Sequence, residues 1–182
     1  MTFSKSLCRI GELAIVATLG SCSLAARPEV NDLVYSGATY SPLSQRAVSV
    51  RCTGAENQEN LNGSGLGNEQ ICAALAKSIQ NASLFSGISS SEGSADVLTY
   101  ELQSIRVPPY GVFAGSEFEL VSLLKLRRAD ESTDHCSVVV SSTYTVGKMK
   151  GVPFSKRTWF SYGELIKRNF GDGLFLLNKQ CR

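Results

Sequence analysis

Cys136-Ser137-Val138-Val139-Val140-Ser141-Ser142-Thr143-Tyr144-Thr145-Val146 is the stretch on which the fold turns. In an extended chain Cys136, Val138, Val140, Tyr144 and Val146 face one way, and Ser137, Ser141, Thr143 and Thr145 the other. One apolar face and one hydroxyl-bearing face describe a strand with a core on one side and water on the other. Antiparallel sheets allow that situation. Upstream, Glu117 to Arg128 alternates as well, with Phe118, Leu120, Leu124 and Leu126 opposite Glu119, Val121, Leu123 and Lys125. The polar run from Arg127 to Ser137 joins these two as a hairpin connection. Before them, a strand from Ala95 to Val107 puts Leu98, Tyr100 and Leu102 on one face until Pro108-Pro109-Tyr110-Gly111 breaks it. The first strand runs from Arg46 to Cys52, where Val48, Val50 and Cys52 alternate with Ala47, Ser49 and Arg51.

Between the first two strands the period changes. Thr53 to Gly67 is rich in Asn and Gly and reads as a long mobile loop. Ile71, Leu75, Ile79 and Ala82 then recur at helical spacing, which predicts a helix from Asn68 to Phe85 with Asn68 as its cap and Gly87 as its stop. Leu165, Ile166, Phe170, Leu174 and Leu177 form a second stripe, a helix from Gly163 to Asn178. Gly171 and Gly173 each weaken it by about 1 kcal/mol relative to alanine and favour a kink. Gly151 to Tyr162 accommodates one further strand around Lys156 to Phe160. The reading is α+β: an antiparallel sheet of about four strands with two helices packed on one face, in the order β-α-β-β-β-(β)-α.

Composition narrows the function classes. A chain of 182 residues suits one domain with short appendages. Its 18 basic and 16 acidic residues leave +2, too even a balance for a nucleic-acid binder with a dominant basic field. With 43% hydrophobic residues it is neither collagen-like nor wholly disordered. No apolar run reaches the roughly 18 residues that a spanning helix needs.

The first residues have the layout of an export signal. Lys5 and Arg9 precede the short apolar run Leu13-Ala14-Ile15-Val16-Ala17-Thr18-Leu19. The next residues, Leu19-Gly20-Ser21-Cys22, resemble the bacterial lipobox. The resemblance implies diacylglycerol on the Cys22 sulfur, cleavage before Cys22 and an acyl chain on the new amine. Several acyl chains anchor far more firmly than one. The alternative is an ordinary secretory signal cut near Ala25-Ala26. Ser23, where aspartate would signal inner-membrane retention, points to the periplasmic face of the outer membrane. The division expected is a signal peptide at 1–21, a lipidated tether at 22–45, with a short strand near Leu33-Val34-Tyr35, and a single domain at 46–182. Without residues 1–21 the chain keeps 16 basic and 15 acidic residues.

Four cysteines remain after Cys8 and Cys22: Cys52, Cys72, Cys136 and Cys181. An even number in an exported domain favours disulfides, and four cysteines allow three connectivities. Element order favours Cys52–Cys72, strand to following helix, and Cys136–Cys181, strand to C-terminal end. No CxxC occurs and His135 is the single histidine, so no metal site and no cofactor are expected.

Candidate chemistry is sparse. Gly63-Ser64-Gly65-Leu66-Gly67 precedes a helix, but lacks the third glycine of a dinucleotide loop and the Gly-Lys-Ser/Thr of a Walker loop. His135 and Cys136 are adjacent on a strand and so point to opposite faces, which rules out a working pair. Glu117/Glu119 and Asp130/Glu131 read as solvated surface rather than as glycosidase carboxylates. The aromatic set Tyr110, Phe113, Phe118, Trp159, Phe160 and Tyr162 is better placed for contact than for chemistry. Pro108, Pro109, Tyr110 and Phe113, with Trp159, form the candidate partner-contact loop. Lys148, Lys150, Lys156 and Arg157 make a basic run beside it, suited to anionic headgroups.

The order of elements, after a lipidated cysteine, loosely resembles LptE-like envelope-assembly lipoproteins over about residues 46–178. The resemblance lies in layout and transfers no residue. It implies an envelope-assembly role. The functional expectation is an outer-membrane-anchored, non-enzymatic binding module of an envelope transport or secretion complex. Its partners would be the membrane, through Cys22, and an envelope protein. The alternatives are a lipid- or lipopolysaccharide-binding protein, with an apolar pocket between sheet and helices, and a periplasmic hydrolase.

Overall fold

The alternation at 136–146 becomes one edge of a four-stranded sheet. A computed structural model describes residues 28–61, 66–91, 93–108, 112, 114–148 and 154–182. Its strands are β1 (Val48–Thr53), β2 (Asp96–Arg106), β3 (Glu117–Arg127) and β4 (Cys136–Thr145), in sheet order β1-β2-β3-β4. Two helices, α1 (Asn68–Ala82) and α2 (Phe154–Gln180), cover one face. The fold is α+β as expected, but the sheet is mixed. β1 pairs with β2 in parallel, Val48 opposite Asp96, while β2–β3 and β3–β4 are antiparallel. Helix α1 carries the chain back along the sheet, so β2 must start where β1 started. Alternation reports which face is buried and is silent on strand direction.

The buried face is the one the pattern named. Leu98, Tyr100, Leu102, Phe118, Leu120, Leu124, Leu126, Val138 and Val140 meet Ile71, Leu75 and Ile79 of α1 and Leu165, Ile166, Phe170, Leu174 and Leu177 of α2. Each such side chain contributes about 1.5–3 kcal/mol by leaving water. Cys52 is bonded to Cys72 and Cys136 to Cys181, each pair with Cα atoms 5.5 Å apart. The first ties β1 to α1, and the second ties the start of β4 to the end of the chain.

Several boundaries differ from the expectation. Residues 156–160 belong to α2, which starts at Phe154 and runs unbroken to Gln180. Tyr162 extends the Leu165, Ile166, Phe170 stripe by one turn and packs edge-on to Phe118 with ring centroids 5.7 Å apart. That tertiary contact outweighs the short alternation. Gly171 and Gly173 bring no break; they permit close approach. A Cβ on Gly171 would stand 2.6 Å from the Tyr35 ring, and one on Gly173 would stand 3.1 Å from Leu124. Helix α1 is capped by Gly67, whose N–H donates to Gln70 Oε1 at 3.0 Å. Asn68 instead accepts from the Ala55 N–H at 3.1 Å. Its stop is Ser83, left-handed at φ 57°, well before Gly87.

The segment 53–61 holds two short 3₁₀ turns, Ala55–Asn57 and Glu59–Leu61, with Leu61 buried. It is ordered because it finishes β2. The register slips between Leu102 and Ser104, beyond the end of β1. There Gln58 Nε2 donates to the Gln103 carbonyl at 3.3 Å, and its Oε1 accepts from the Ile105 N–H at 3.2 Å. Gly54, at φ 92°, lets the chain pass; a Cβ would stand 2.2 Å from the Leu102 carbonyl oxygen.

Residues 30–43, expected within a tether, are docked. Val30–Leu33 form a 3₁₀ turn rather than a strand, and Leu33 is fully buried. The Tyr35 N–H donates to Ser78 Oγ at 2.9 Å, Tyr40 N–H to the Ala82 carbonyl at 2.8 Å and Leu43 N–H to the Leu84 carbonyl at 2.8 Å. Arg128 closes the far end. It pairs with fully buried Asp96 at 3.1 Å and donates to the Leu43 carbonyl at 3.2 Å.

Candidate binding surfaces

The sheet presents its second face to solvent. Thr99, Glu101, Val121, Leu123, Lys125, Ser137, Val139 and Ser141 lie there by alternation. Leu123 stands opposite Val139, and Val121 opposite Ser141. Val139 is 62% exposed, the most exposed of the large hydrophobic side chains among the described residues. Lys125–Glu101 at 3.4 Å and Arg106–Glu119 at 3.2 Å flank this small apolar centre.

β4 is also an edge. Its ten residues, CSVVVSSTYT, carry no charge, no proline and no glycine. The Thr143 carbonyl turns away from β3 and accepts from Arg168 Nη1 at 2.6 Å. Residues at a spacing of two share that direction, so the backbone groups of Val139 and Ser141 point outward as well. The β1 edge differs. There Val48 N–H donates to the Gly87 carbonyl, Ser89 N–H to the Val48 carbonyl and Ser86 N–H to the Arg46 carbonyl. The segment 86–89 thus shields β1, while among the described residues no strand pairs with the outer side of β4. Uncharged edges of this kind accept an added strand.

A second surface lies on the far side of α2. Tyr35, Tyr40, Glu164, Arg168, Asp172 and Phe175 border an open groove of about 440 Å³. Burial, and then the hydrogen bond to Tyr35, pushes the Tyr40 phenol up to about 12. Under the groove runs a buried chain of polar groups. Tyr100 Oη and Ser122 Oγ both donate to Asn169 Oδ1, at 3.0 and 2.7 Å. Asn169 Nδ2 donates to Ser142 Oγ at 3.3 Å, and Ser142 Oγ donates to Asp172 at 2.5 Å. Tyr100, Ser122 and Asn169 have almost no exposure. Burial raises the Tyr100 phenol further from neutrality. Each hydroxyl and the amide has a partner, and the chain fixes the height of α2 over β2, β3 and β4.

Of the sequence-predicted aromatic set, the structure brings Phe118, Tyr162 and Trp159 together. Cys22, Pro109, Tyr110 and Phe113 lie outside the described residues, as do Lys150 and Gly63 to Gly65. Pro108 is half-buried at the end of β2. Trp159 sits on α2 against Tyr162, ring centroids 5.5 Å apart. Lys148 and Lys156 are exposed. His135 Nδ1 meets Glu131 at 3.3 Å, Asp130 pairs with Arg46 at 3.1 Å, and Cys136 is held in its disulfide. Among the described residues no group of three or more metal-ligating side chains gathers, and no helix is long and apolar enough to cross a membrane. The space between sheet and helices, where a lipid pocket was one alternative, is filled by Tyr100, Leu124, Phe170 and their neighbours.

The fold itself has relatives. The chain is similar to protein XCC0632 from Xanthomonas campestris, of family-model DUF330. The two align over 80% of this chain and 93% of that one, with a TM-score of 0.57 and 8% identity. A minor lipoprotein from Acinetobacter baumannii aligns over 77% of this chain and 92% of its own, at 12% identity and a TM-score of 0.40. Rare lipoprotein B from Shewanella oneidensis aligns over 73% and 94%, at 11% identity and a TM-score of 0.41. No family model and no curated protein matches the sequence. At such identities the first alignment shows a shared fold and transfers no residue.

Two features escaped sequence reasoning. Val139 was visible as the lone large apolar residue on a hydroxyl face. Asn169 was visible as a polar residue inside the apolar stripe of α2, between Ile166 and Phe170. The docked 30–43 segment left no periodic signal.

Proposed function

We propose that this chain is a lipid-anchored envelope protein that binds a protein partner and performs no catalysis itself. In this reading Cys22 carries the lipid, Ser23 directs the chain to the periplasmic face of the outer membrane, and the folded part serves an envelope transport or secretion complex. The observation that carries the binding role is the β4 edge, ten uncharged residues beside an exposed Val139. The occupant it fits is an extended segment of an envelope protein that adds as a fifth strand. Main-chain hydrogen bonds would supply affinity, and Leu123 and Val139 would read alternate side chains of the partner. Anchoring confines both partners to one surface and raises their effective concentration.

The test is crosslinking in intact cells with three tagged chains: the parent, Cys22→Ala and Val139→Lys. Mass spectrometry of the purified membrane species reports acylation of Cys22 in parallel. The reading expects one discrete envelope protein, lost in both variants. A partner unaffected by Val139→Lys refutes the β4 surface. An unmodified chain cleaved after Cys22 refutes the anchor.

A further inference from the structure

We propose that the outer side of α2 rests on an anionic bilayer surface, with Phe160 and Phe175 as its apolar contacts. The proposal rests on the lipid-anchor reading of Cys22 and adds which face the membrane meets.

The seat of the Val30–Leu33 turn argues for it. That turn lies in the helical layer. Lys77 Nζ of α1 donates to Asn31 Oδ1 at 3.0 Å, and a Cβ on Gly163 of α2 would stand 3.8 Å from the Asp32 carbonyl oxygen. Val30 lies only eight positions after Cys22, so an anchor on Cys22 stands at most about 28 Å from that turn. The open sheet face is screened from that point by a helical layer roughly 10–12 Å thick. A leash this short, leaving from the helices, brings the helical side to the bilayer and leaves the open sheet face, with Val139, on the far side.

The side so presented has the right chemistry. Phe160 and Phe175 are 47% and 50% exposed although both sit on a helix whose other face is core. Fifteen residues apart, they lie about 22 Å from each other and within roughly 60° around the helix axis. Exposed aromatics on a basic helix are the marks of an interfacial segment. Helix α2 carries five basic residues, Lys156, Arg157, Lys167, Arg168 and Lys179, against Glu164 and Asp172. Its net +3 exceeds the +2 of the entire chain, so the positive charge of the molecule is concentrated here. Anionic headgroups are its complement.

Trp159 is the single tryptophan of the chain and adjoins Phe160, which supplies a built-in reporter. The acylated protein is reconstituted in vesicles of phosphatidylethanolamine and phosphatidylglycerol with brominated acyl chains. An interfacial helix buries its apolar contacts about 5–10 Å into the headgroup boundary, so a roughly two-fold loss of Trp159 fluorescence is expected. Phe160→Ser/Phe175→Ser should abolish most of that loss while the protein stays on the vesicles. Moving the reporter to the far face, with Trp159→Phe/Val139→Trp, should leave it unquenched. Equal quenching at both positions, or none at Trp159 on vesicles that hold the acylated chain, overturns the proposal. A crosslink from residue 160 to an envelope protein without quenching overturns it too. If Cys22 bears no acyl group the anchor reading fails by itself. Quenching of the unacylated chain by the same vesicles then still supports the α2 surface, and its absence overturns it.

Discussion

Asn169→Ala tests how the helical layer is held over the sheet. The wild-type Oδ1 accepts from Tyr100 Oη at 3.0 Å and from Ser122 Oγ at 2.7 Å, and neither donor touches water. Alanine leaves both without an acceptor. A buried, unpaired polar group costs about 1–3 kcal/mol, so the loss of an acceptor for two should reach about 2–6 kcal/mol. Ser142 is spared, because its hydroxyl still donates to Asp172. Equilibrium urea unfolding with both disulfides intact reads this out. At about 2 kcal/mol per molar of urea, the midpoint should fall by about 1–3 M with an unchanged slope. A companion variant separates unmet hydrogen bonds from lost packing. Tyr100→Phe/Ser122→Ala/Asn169→Leu removes donors and acceptor together and should lie within about 1.5 kcal/mol of the parent, because apolar replacement of both partners is nearly neutral. If Asn169→Ala costs under about 1 kcal/mol, or the triple variant costs as much as the single, the network does not fix the helix as argued.

Three further outcomes follow from the packing. By loop-closure entropy, Cys52–Cys72 at a separation of 20 should contribute about 3.3 kcal/mol and Cys136–Cys181 at a separation of 45 about 4 kcal/mol. Paired Cys→Ala variants should rank in that order in urea, and the reverse order would contradict the loop-length account. Gly171→Ala should leave global stability almost unchanged, since alanine favours the helix by about 1 kcal/mol while its methyl meets the Tyr35 ring. The same variant should raise hydrogen exchange at the Tyr35 and Tyr40 amides as the 34–43 segment lifts, and unchanged exchange there would show that the ring simply moves aside. Burial raises the phenols of Tyr40 and Tyr162 to about 12 and that of Tyr100 also upward. The folded chain therefore holds these protons where the unfolded chain, near 10, has released them, and stability that is full below pH about 10 should fall between about 10 and 12. Urea midpoints that stay level from pH 9 to 11.5 would refute this.

What the sequence made legible was decided by how many residues repeat a signal. β3 and β4 alternate over eleven and ten residues, and that alternation alone names their buried faces. The parallel β1–β2 pairing was not legible, because six residues of β1 specify a face and no direction. The stretch 156–160 misled for a related reason. Five residues fit a strand or a helix equally, and the arbiter was Tyr162 against Phe118, a contact 44 positions apart in sequence. The docked 30–43 segment and the 53–61 turns have no period at all. They are held one bond at a time, by Ser78 to the Tyr35 N–H and by Gln58 to the Gln103 and Ile105 backbone. The docking of residues 30–43 removes them from the tether expected over 22–45. A long tether would let either face of the domain meet the membrane. On the proposed anchor at Cys22, a short one leaving beside Gly163 would set α2 towards the lipid and leave the open sheet face, with Val139, for a protein partner.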